Sequence, residues 1–160
     1  MNRLISGQSK KGKTVFANTV FKKGEKIIEF KGQLMKRQEL PEILTPEDDR
    51  YIQVGNNLYL GPSGEYDDLI NHSCTPNPGI KIKQNEVILI ALKKIQKDEE
   101  ICFDYSTTIH KDNWEMNCVC REENCRKRIR DFKYLPEEIQ QKYIPLGIVP
   151  KYILQEFKQK

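Results

Sequence analysis

The sequence predicts a mostly β domain with short helices confined to its C-terminal end, and three observations carry that reading. GIKIKQNEVILIAL (79–92) sets Ile80 and Ile82 against lysines, breaks at Gln84-Asn85 and resumes as Val87-Ile88-Leu89-Ile90, which is strand, turn, strand. Strands and helices do not alternate along the chain, which argues against a parallel doubly wound sheet. Helical spacing arrives only after Pro136 and again after Pro150. At 160 residues and 18.8 kDa the chain can build one domain with a real core and is too short for two full-sized ones.

Thr14 to Gly32, TVFANTVFKKGEKIIEFKG, is two β-branched or aromatic runs split by a Lys-Lys-Gly-Glu turn, hence strand, turn, strand. Residues 36–50 (KRQELPEILTPEDDR) are polar with two prolines and fit a brief helix or a surface loop. Tyr51 to Leu60 alternates around Gly55-Asn56-Asn57 and reads as a hairpin. A last short strand, Ile101 to Tyr105, leads into a polar, cysteine-bearing stretch ending at Arg130. PEEIQQKY places Pro136 in a helical first turn, and PKYILQEF does the same with Pro150. There is no internal repeat or low-complexity tract.

Lys+Arg 27 against Asp+Glu 23 leaves a net charge of +4 with the signs mixed, so nucleic acid is not indicated as a partner. No apolar run approaches the roughly 20 residues that span a bilayer, and no membrane role is expected. The start, MNRLISGQSKKGK, lacks the apolar core of a secretory signal. An intracellular setting, cytoplasmic or nuclear, is expected, although a secreted effector stays compatible. Cysteine groups are therefore read as metal or catalytic sites before disulfides.

Gly7-Gln-Ser-Lys-Lys-Gly12-Lys13-Thr14 matches the phosphate-loop pattern GxxxxGK[ST]. That chemistry needs a buried strand before the loop and a helix after it. Only MNRLIS precedes, a β-branched run follows, and VILIALKKI runs into lysines instead of a magnesium-binding aspartate. A nucleotide-binding protein is the weaker alternative.

Cys118-Val-Cys120-Arg-Glu-Glu-Asn-Cys125 brings three thiols within eight residues in a polar context, which is metal chemistry. Structural zinc takes four ligands in a tetrahedron, so a fourth must come from elsewhere: Cys74, Cys102 or one of the two histidines. Cys102 lies in the strand-like EICFDY, where a small buried hydrophobe is its ordinary role. Cys74, in the loop NHSCTPN next to a proline, is the better fourth ligand.

NHSCTPN (71–77), then DEEICFDY (98–105), then CxCx4C (118–125) is an ordered triple that resembles the SET-domain protein lysine methyltransferases with a post-SET zinc segment. The resemblance covers roughly residues 9–130. KKGKTVFA (10–17) is similar to the family's opening cofactor loop and FKKGEKIIEFKG (21–32) to its following strand pair. It implies a fold of several small sheets with a knot-like core, organised as a SET domain (1–112), a post-SET zinc segment (113–130) and a C-terminal helical extension (131–160).

The resemblance also implies the cofactors, S-adenosylmethionine and zinc. By similarity Lys11, Gly12, Lys13 and Tyr51 hold the first, with Leu69, Asn71 and His72 around its adenosine and amino-acid ends. Zinc joins Cys74 to Cys118, Cys120 and Cys125. Tyr105 corresponds to the active-site tyrosine and Phe103 to the product-setting position, with Phe30 and Tyr51 completing the lysine pocket. Trp114 covers the adenosine, lines the substrate groove or sits in the core; Ile129 and Phe132 close over the cofactor. The substrate is a lysine-bearing protein, a histone tail or another basic protein.

Three positions depart from the family's pattern. Glu29-Phe30-Lys31-Gly32 stands where EYxG is frequent, so one pocket hydroxyl is missing. Asp68 stands where an arginine commonly precedes the NHSC asparagine. Phe103 has no hydroxyl to anchor a water beside the amine, which favours di- or trimethylation over mono. A non-catalytic SET-like zinc module that binds a protein partner is the alternative these departures motivate.

The chemistry holds on physical grounds. A lysine amine with pKa about 10.4 is neutral in only about one molecule in 2,500 near neutral pH. An apolar channel and a nearby sulfonium both disfavour ammonium, so no dedicated carboxylate base is needed. Tyr105 orients the amine, and Asp104 beside it is structural, because a carboxylate in the channel would hold the lysine protonated. In the tail, Ile144, Leu146, Ile148, Val149, Ile153 and Leu154 exceed what one short helical face must bury, which suggests a homodimer contact through the extension; the plainer alternative is packing on its own domain.

Overall fold

A computed structural model describes residues 2–42, 49–83 and 86–157. β1 (Leu4–Ser9) and β2 (Gly12–Ala17) form an antiparallel hairpin in which Leu4 faces Ala17 and Gly7 faces Thr14. The sequence reading does not anticipate β1. Leu4 is the one buried residue of LISGQS, so the segment lacks the alternation that marks a strand. The phosphate-loop match is thereby overturned: residues 7–14 are the two arms and tip of a hairpin, and no helix follows them.

After the turn at Lys22–Glu25, β3 (Lys26–Phe30) enters the largest sheet. β4 (Leu34–Lys36) continues into a 3-10 turn at Arg37–Glu39, so the first part of the proline-bearing stretch is strand and turn; its residues 43–48 lie outside those described. β5 (Ile52–Gly55) and β6 (Leu58–Leu60) form the expected hairpin, and β4 adds to β6 to give a three-stranded sheet. Gly32 and Gly61 let two backbone segments next to this sheet approach closely. Both have φ near +120°, and a Cβ on Gly32 would stand 2.7 Å from the Gly61 Cα.

A 3-10 turn at Tyr66–Leu69 precedes β7 (Asn71–His72). β8 (Pro78–Lys83) and β9 (Glu86–Ala91) pair antiparallel, and β9 also pairs with β3; the predicted Gln84-Asn85 turn lies outside the described residues. The strand expected over 101–105 contracts to β10 (Cys102–Phe103), which runs parallel to β7. It stops because Asp104 caps a 3-10 turn, Tyr105–Thr107, by accepting from the Ser106 amide.

β11 (Met116–Asn117) and β12 (Arg128–Ile129) close the cysteine segment into a small hairpin. α1 (Glu137–Tyr143) starts one residue after Pro136, which caps it instead of sitting in its first turn, and α2 (Lys151–Phe157) follows Pro150. Among the described residues no helix is long and apolar enough to cross a membrane.

Phe21, Ile80, Leu89, Ile95 and Ile101 are fully buried between the sheets, each contributing about 1.5–3 kcal/mol by removal from water. A second cluster lies beneath the C-terminal helices and a third around the cysteines. The second bears on the apolar residues of the tail. Ile148, Val149 and Ile153 are 5% exposed or less within the chain itself, so this half of the apolar set packs on its own domain, while Ile144 stays 36% exposed.

Candidate active site and metal centre

Cys74, Cys118, Cys120 and Cys125 bring their sulfurs within 4.8 Å of one another, and the Cys74 and Cys118 sulfurs are 3.8 Å apart. Sulfurs about 2.3 Å from one tetrahedral ion would be about 3.8 Å apart, so the donor set and its spacing fit zinc. Backbone amides of Cys120 and Arg126 donate to Cys118 and Cys74, and the His72 Nε2 lies 3.3 Å from the Cys74 sulfur. Burial pushes Cys74 up to about 11 and raises Cys118, whereas backbone donors and the neighbouring thiols, working against burial, take Cys120 down to about 7. Four thiols this close cannot all ionise without a cation among them. Cys102 is remote from this cluster in role: its sulfur lies 2.9 Å from the Lys11 Nζ.

The His72 Nδ1 accepts from the Tyr105 amide at 3.2 Å, so the neutral ring presents Nε2–H to Cys74. Burial, with Arg126 and Lys11 adding to it, takes His72 down to about 3. Its 3.7 Å approach to Asp104 is therefore a contact of a neutral ring, not an ion pair.

Tyr105 donates its hydroxyl to the Ile70 carbonyl at 2.7 Å, and burial raises its pKa. It is a fixed neutral donor, unsuited to act as a base. An aromatic wall surrounds it: Phe103 at 4.9 Å between ring centres, Trp114 at 6.4 Å, His72 at 5.3 Å, and Phe30 edge-on to Phe103 at 5.9 Å. A cleft runs along this wall, lined further by Tyr51, Ile70, Tyr59 and the buried Asp67, with Asp49, Asp68, Asp112, Arg37 and Arg50 also on it.

On the adjoining face the β1–β2 tip docks against β7 and β10. Asn71 donates its side-chain amide to the Lys13 carbonyl at 3.3 Å. Glu100 accepts from Lys11 (2.9 Å), Ser9 (3.2 Å) and Asn71 (3.4 Å) and so ties three segments together. Although burial works against it, Lys11, with Asn71 adding to it, takes the Glu100 carboxyl below its ordinary value. Gly12 at the tip has φ +103° and no heavy atom within 4 Å of where a Cβ would be, which leaves its backbone open to a ligand.

The structure thus gathers Phe30, Tyr51, Phe103, Tyr105 and Trp114 on one cleft, and Lys13 with Asn71 on the neighbouring face. Leu69 packs against the main core. Ile129 and Phe132 have no exposed surface at all, so neither presents a face to a cofactor; they are core residues of the cysteine segment and of the tail. Asp68 does not take an arginine's place in the site. Its carboxylate accepts from the Ser63 and Gly64 amides, while Arg50 reaches the Asp68 carbonyl at 2.8 Å.

Sequence reasoning missed Glu100, Arg126, Tyr143 and Gln53. Gln53 is buried in the cleft wall and pairs with both backbone groups of His110. The one legible signal was an acidic residue, Glu100, just before a strand-like run.

A model of the SET domain family matches residues 12–106. The chain is 30% identical over 140 residues to the variant-silencing SET domain-containing protein of Plasmodium falciparum (isolate 3D7), covering 76% of this chain and 5% of that protein. It is 29% identical over 142 residues to the histone-lysine N-methyltransferase trr of Drosophila melanogaster, covering 79% of this chain and 6% of that one. With the probable histone-lysine N-methyltransferase set-23 of Caenorhabditis briggsae it shares 29% over 153 residues, 84% of this chain and 61% of the relative. The chain therefore spans only a small part of the first two relatives and less than two thirds of the third. Among solved structures, the methyltransferase domain of human histone-lysine N-methyltransferase SETMAR superposes with TM-score 0.66 at 21% identity, covering 80% of this chain and 58% of that one. KRYPTONITE in complex with mCHH DNA, an H3(1-15) peptide and SAH does so with TM-score 0.63 at 24% identity, covering 79% of this chain and 29% of that one. These two likenesses are of fold.

Proposed function

This chain belongs to the SET-domain family, and from that premise we propose that it moves methyl groups from S-adenosylmethionine to the side-chain amine of a lysine in a basic protein. The observation that carries the reading is the fixed hydroxyl of Tyr105, held on the Ile70 carbonyl in the lining of an aromatic cleft. The named activity of the relatives supports it.

The cofactor, when bound, supplies an electrophilic methyl on a positively charged sulfur. The open backbone of Lys11, Gly12 and Lys13, with Asn71 and His72 behind it, is the face that would hold it, and Tyr51, Leu69 and Trp114 would complete its surroundings. Phe30, Phe103 and Tyr51 wall the lysine side chain, and their apolar faces disfavour ammonium, so the amine gives its proton to water. Tyr105 then orients the nitrogen lone pair. Holding nitrogen, carbon and sulfur in line can supply several kcal/mol of the barrier. Asp104 takes no proton from substrate: it is buried behind the cleft against Arg126.

Phe103, tight against Phe30 and Tyr105 and without a hydroxyl, favours di- or trimethylation. The carboxylates on the cleft suit a cationic protein segment, and histone tails or another basic protein are the substrate class, in the nucleus or cytoplasm. One zinc on the four cysteines holds residues 113–130 over the site, and the segments 1–112, 113–130 and 131–160 act as SET domain, post-SET segment and extension.

Zinc-replete protein incubated with methyl-labelled cofactor and mixed histones or ribosomal proteins tests the reading. Label on lysine is expected. Label only on arginine or small molecules overturns the substrate class, and failure to bind cofactor with zinc present favours a non-catalytic binding module.

A further inference from the structure

We infer that the C-terminal extension is a working part of the active centre, and that Tyr143 is a positioning residue which holds Tyr105 through Asp104. The kinetic part of this inference rests on the methyltransferase reading above; the positional part does not.

Asp104 immediately precedes Tyr105 and is 1% exposed, so water cannot solvate its carboxylate. Its two oxygens are served unequally. Oδ1 accepts from the Ser106 amide at 3.1 Å and from the Arg126 guanidinium at 2.7 Å. Oδ2 accepts, among the described residues, from the Tyr143 hydroxyl alone, at 3.1 Å. A buried carboxylate oxygen without a donor costs far more than the bond itself contributes.

The orientation of that carboxylate matters because Asp104 organises the turn carrying Tyr105. Ser106 N–H binds its side chain, and Thr107 donates both its amide (3.0 Å) and its hydroxyl (2.6 Å) to the Asp104 carbonyl. Rotation of Asp104 would therefore tilt the turn and move the Tyr105 hydroxyl off the Ile70 carbonyl.

The extension is built to hold Tyr143 still. Gln140, one helical turn earlier, donates to the Leu135 carbonyl at 2.9 Å, and its second N–H lies between the carbonyls of Lys133 (3.2 Å) and Phe132 (3.3 Å). Farther on, the extension locks to the sheet where Ile148 packs on Gly79: a Cβ there would meet the Ile148 Cγ2 at 2.4 Å. Tyr152 reaches the far end of the same turn, its single hydroxyl proton lying between the carbonyls of Thr108 (2.6 Å) and Gln53 (2.9 Å). The extension therefore grips the Tyr105 turn at both ends, Asp104 and Thr108.

Tyr143→Phe separates positioning from mere packing, because it keeps the buried ring and removes only the oxygen. A hydrogen bond to a charged group is worth enough that kcat should fall about tenfold or more, with KM for cofactor and for a lysine peptide unchanged. Amide exchange at Ser106, Thr107 and Thr108 should accelerate about tenfold while Ile80 and Leu89 in the main sheet keep their protection. In an Asp104→Ala background, which removes the acceptor, the same change should cost nothing further. Tyr134→Phe, at an exposed tyrosine of the extension, should change none of these.

Unchanged exchange at residues 106–108 in Tyr143→Phe overturns the inference, as does an additive loss in the double variant. Should the wild-type protein methylate nothing, the functional reading fails, and the exchange measurement still decides the positional claim.

Discussion

The sulfurs of Cys74 and Cys118, 44 residues apart in the chain, stand 3.8 Å from each other, and His72, two residues before Cys74, accepts the amide of Tyr105 on its other ring nitrogen. The metal centre and the candidate catalytic tyrosine are thus joined through one imidazole. Disturbance of the thiols reaches Tyr105 through that ring, and also through Arg126, whose amide donates to Cys74 and whose guanidinium holds Asp104.

Cys74→Ala should therefore abolish stoichiometric zinc binding and cut methyl transfer by at least about tenfold, because four ligands define the site. Cys102→Ala should leave one zinc per chain, since its sulfur contacts Lys11 instead. Metal content by mass spectrometry of both variants checks this; equal zinc loss in the two would place the ligands wrongly. Strong chelators should reproduce the Cys74→Ala phenotype, and added zinc should reverse it.

Tyr105→Phe should lower kcat by about 100-fold with little change in cofactor affinity, because it removes a positioning hydroxyl and keeps the ring packed on Phe103 and Trp114. Single-turnover kinetics with calorimetric cofactor binding resolves the two quantities. An equal drop in cofactor affinity would show that Tyr105 works mainly on binding.

Phe103→Tyr should shift the product toward monomethyllysine, as a hydroxyl between the rings of Phe30 and Tyr105 retains a water where further methyl groups would sit. Mass spectra of the modified peptide give the ratio directly. A wild-type enzyme that makes only monomethyllysine contradicts the assignment.

Glu100 supplies a pH dependence. Its folded-state pKa lies below the ordinary carboxylate value, so its contribution is fully present above the unfolded pKa and is lost as pH falls through the depressed folded value. Glu100→Gln should consequently cost about 1–2 kcal/mol near neutral pH and progressively less in acid. Cofactor affinity should weaken with it, because Lys11 loses its ion pair and one of the two acceptor oxygens shared by Lys11, Ser9 and Asn71 becomes a donor. Urea denaturation of wild type and variant at pH 7 and pH 3.5 measures the gap; a gap that widens in acid has the wrong sign.

The features readable along the chain were those that depend on near neighbours. The β8–β9 hairpin follows from alternation within GIKIKQNEVILIAL, and α1 and α2 follow from prolines ahead of helical spacing. The CxCx4C spacing announced a metal site, and the choice of Cys74 over Cys102 followed from loop against strand context. β1 escaped because a strand exposed along most of its length needs no apolar pattern; its stability comes from pairing with β2.

By itself, the sequence determined most of the local elements, the family and the types of residue available for chemistry, because each is written in the order and spacing of residues along the chain. Tertiary structure alone decided which distant groups meet. Asp104 needs Arg126 and Tyr143 only because folding buries its carboxylate, and desolvation is a property of the surroundings that no spacing records. Ile129, Phe132 and the buried half of the apolar tail became core for the same reason: their free energy is set by what covers them, and that is fixed when the extension closes over the sheet.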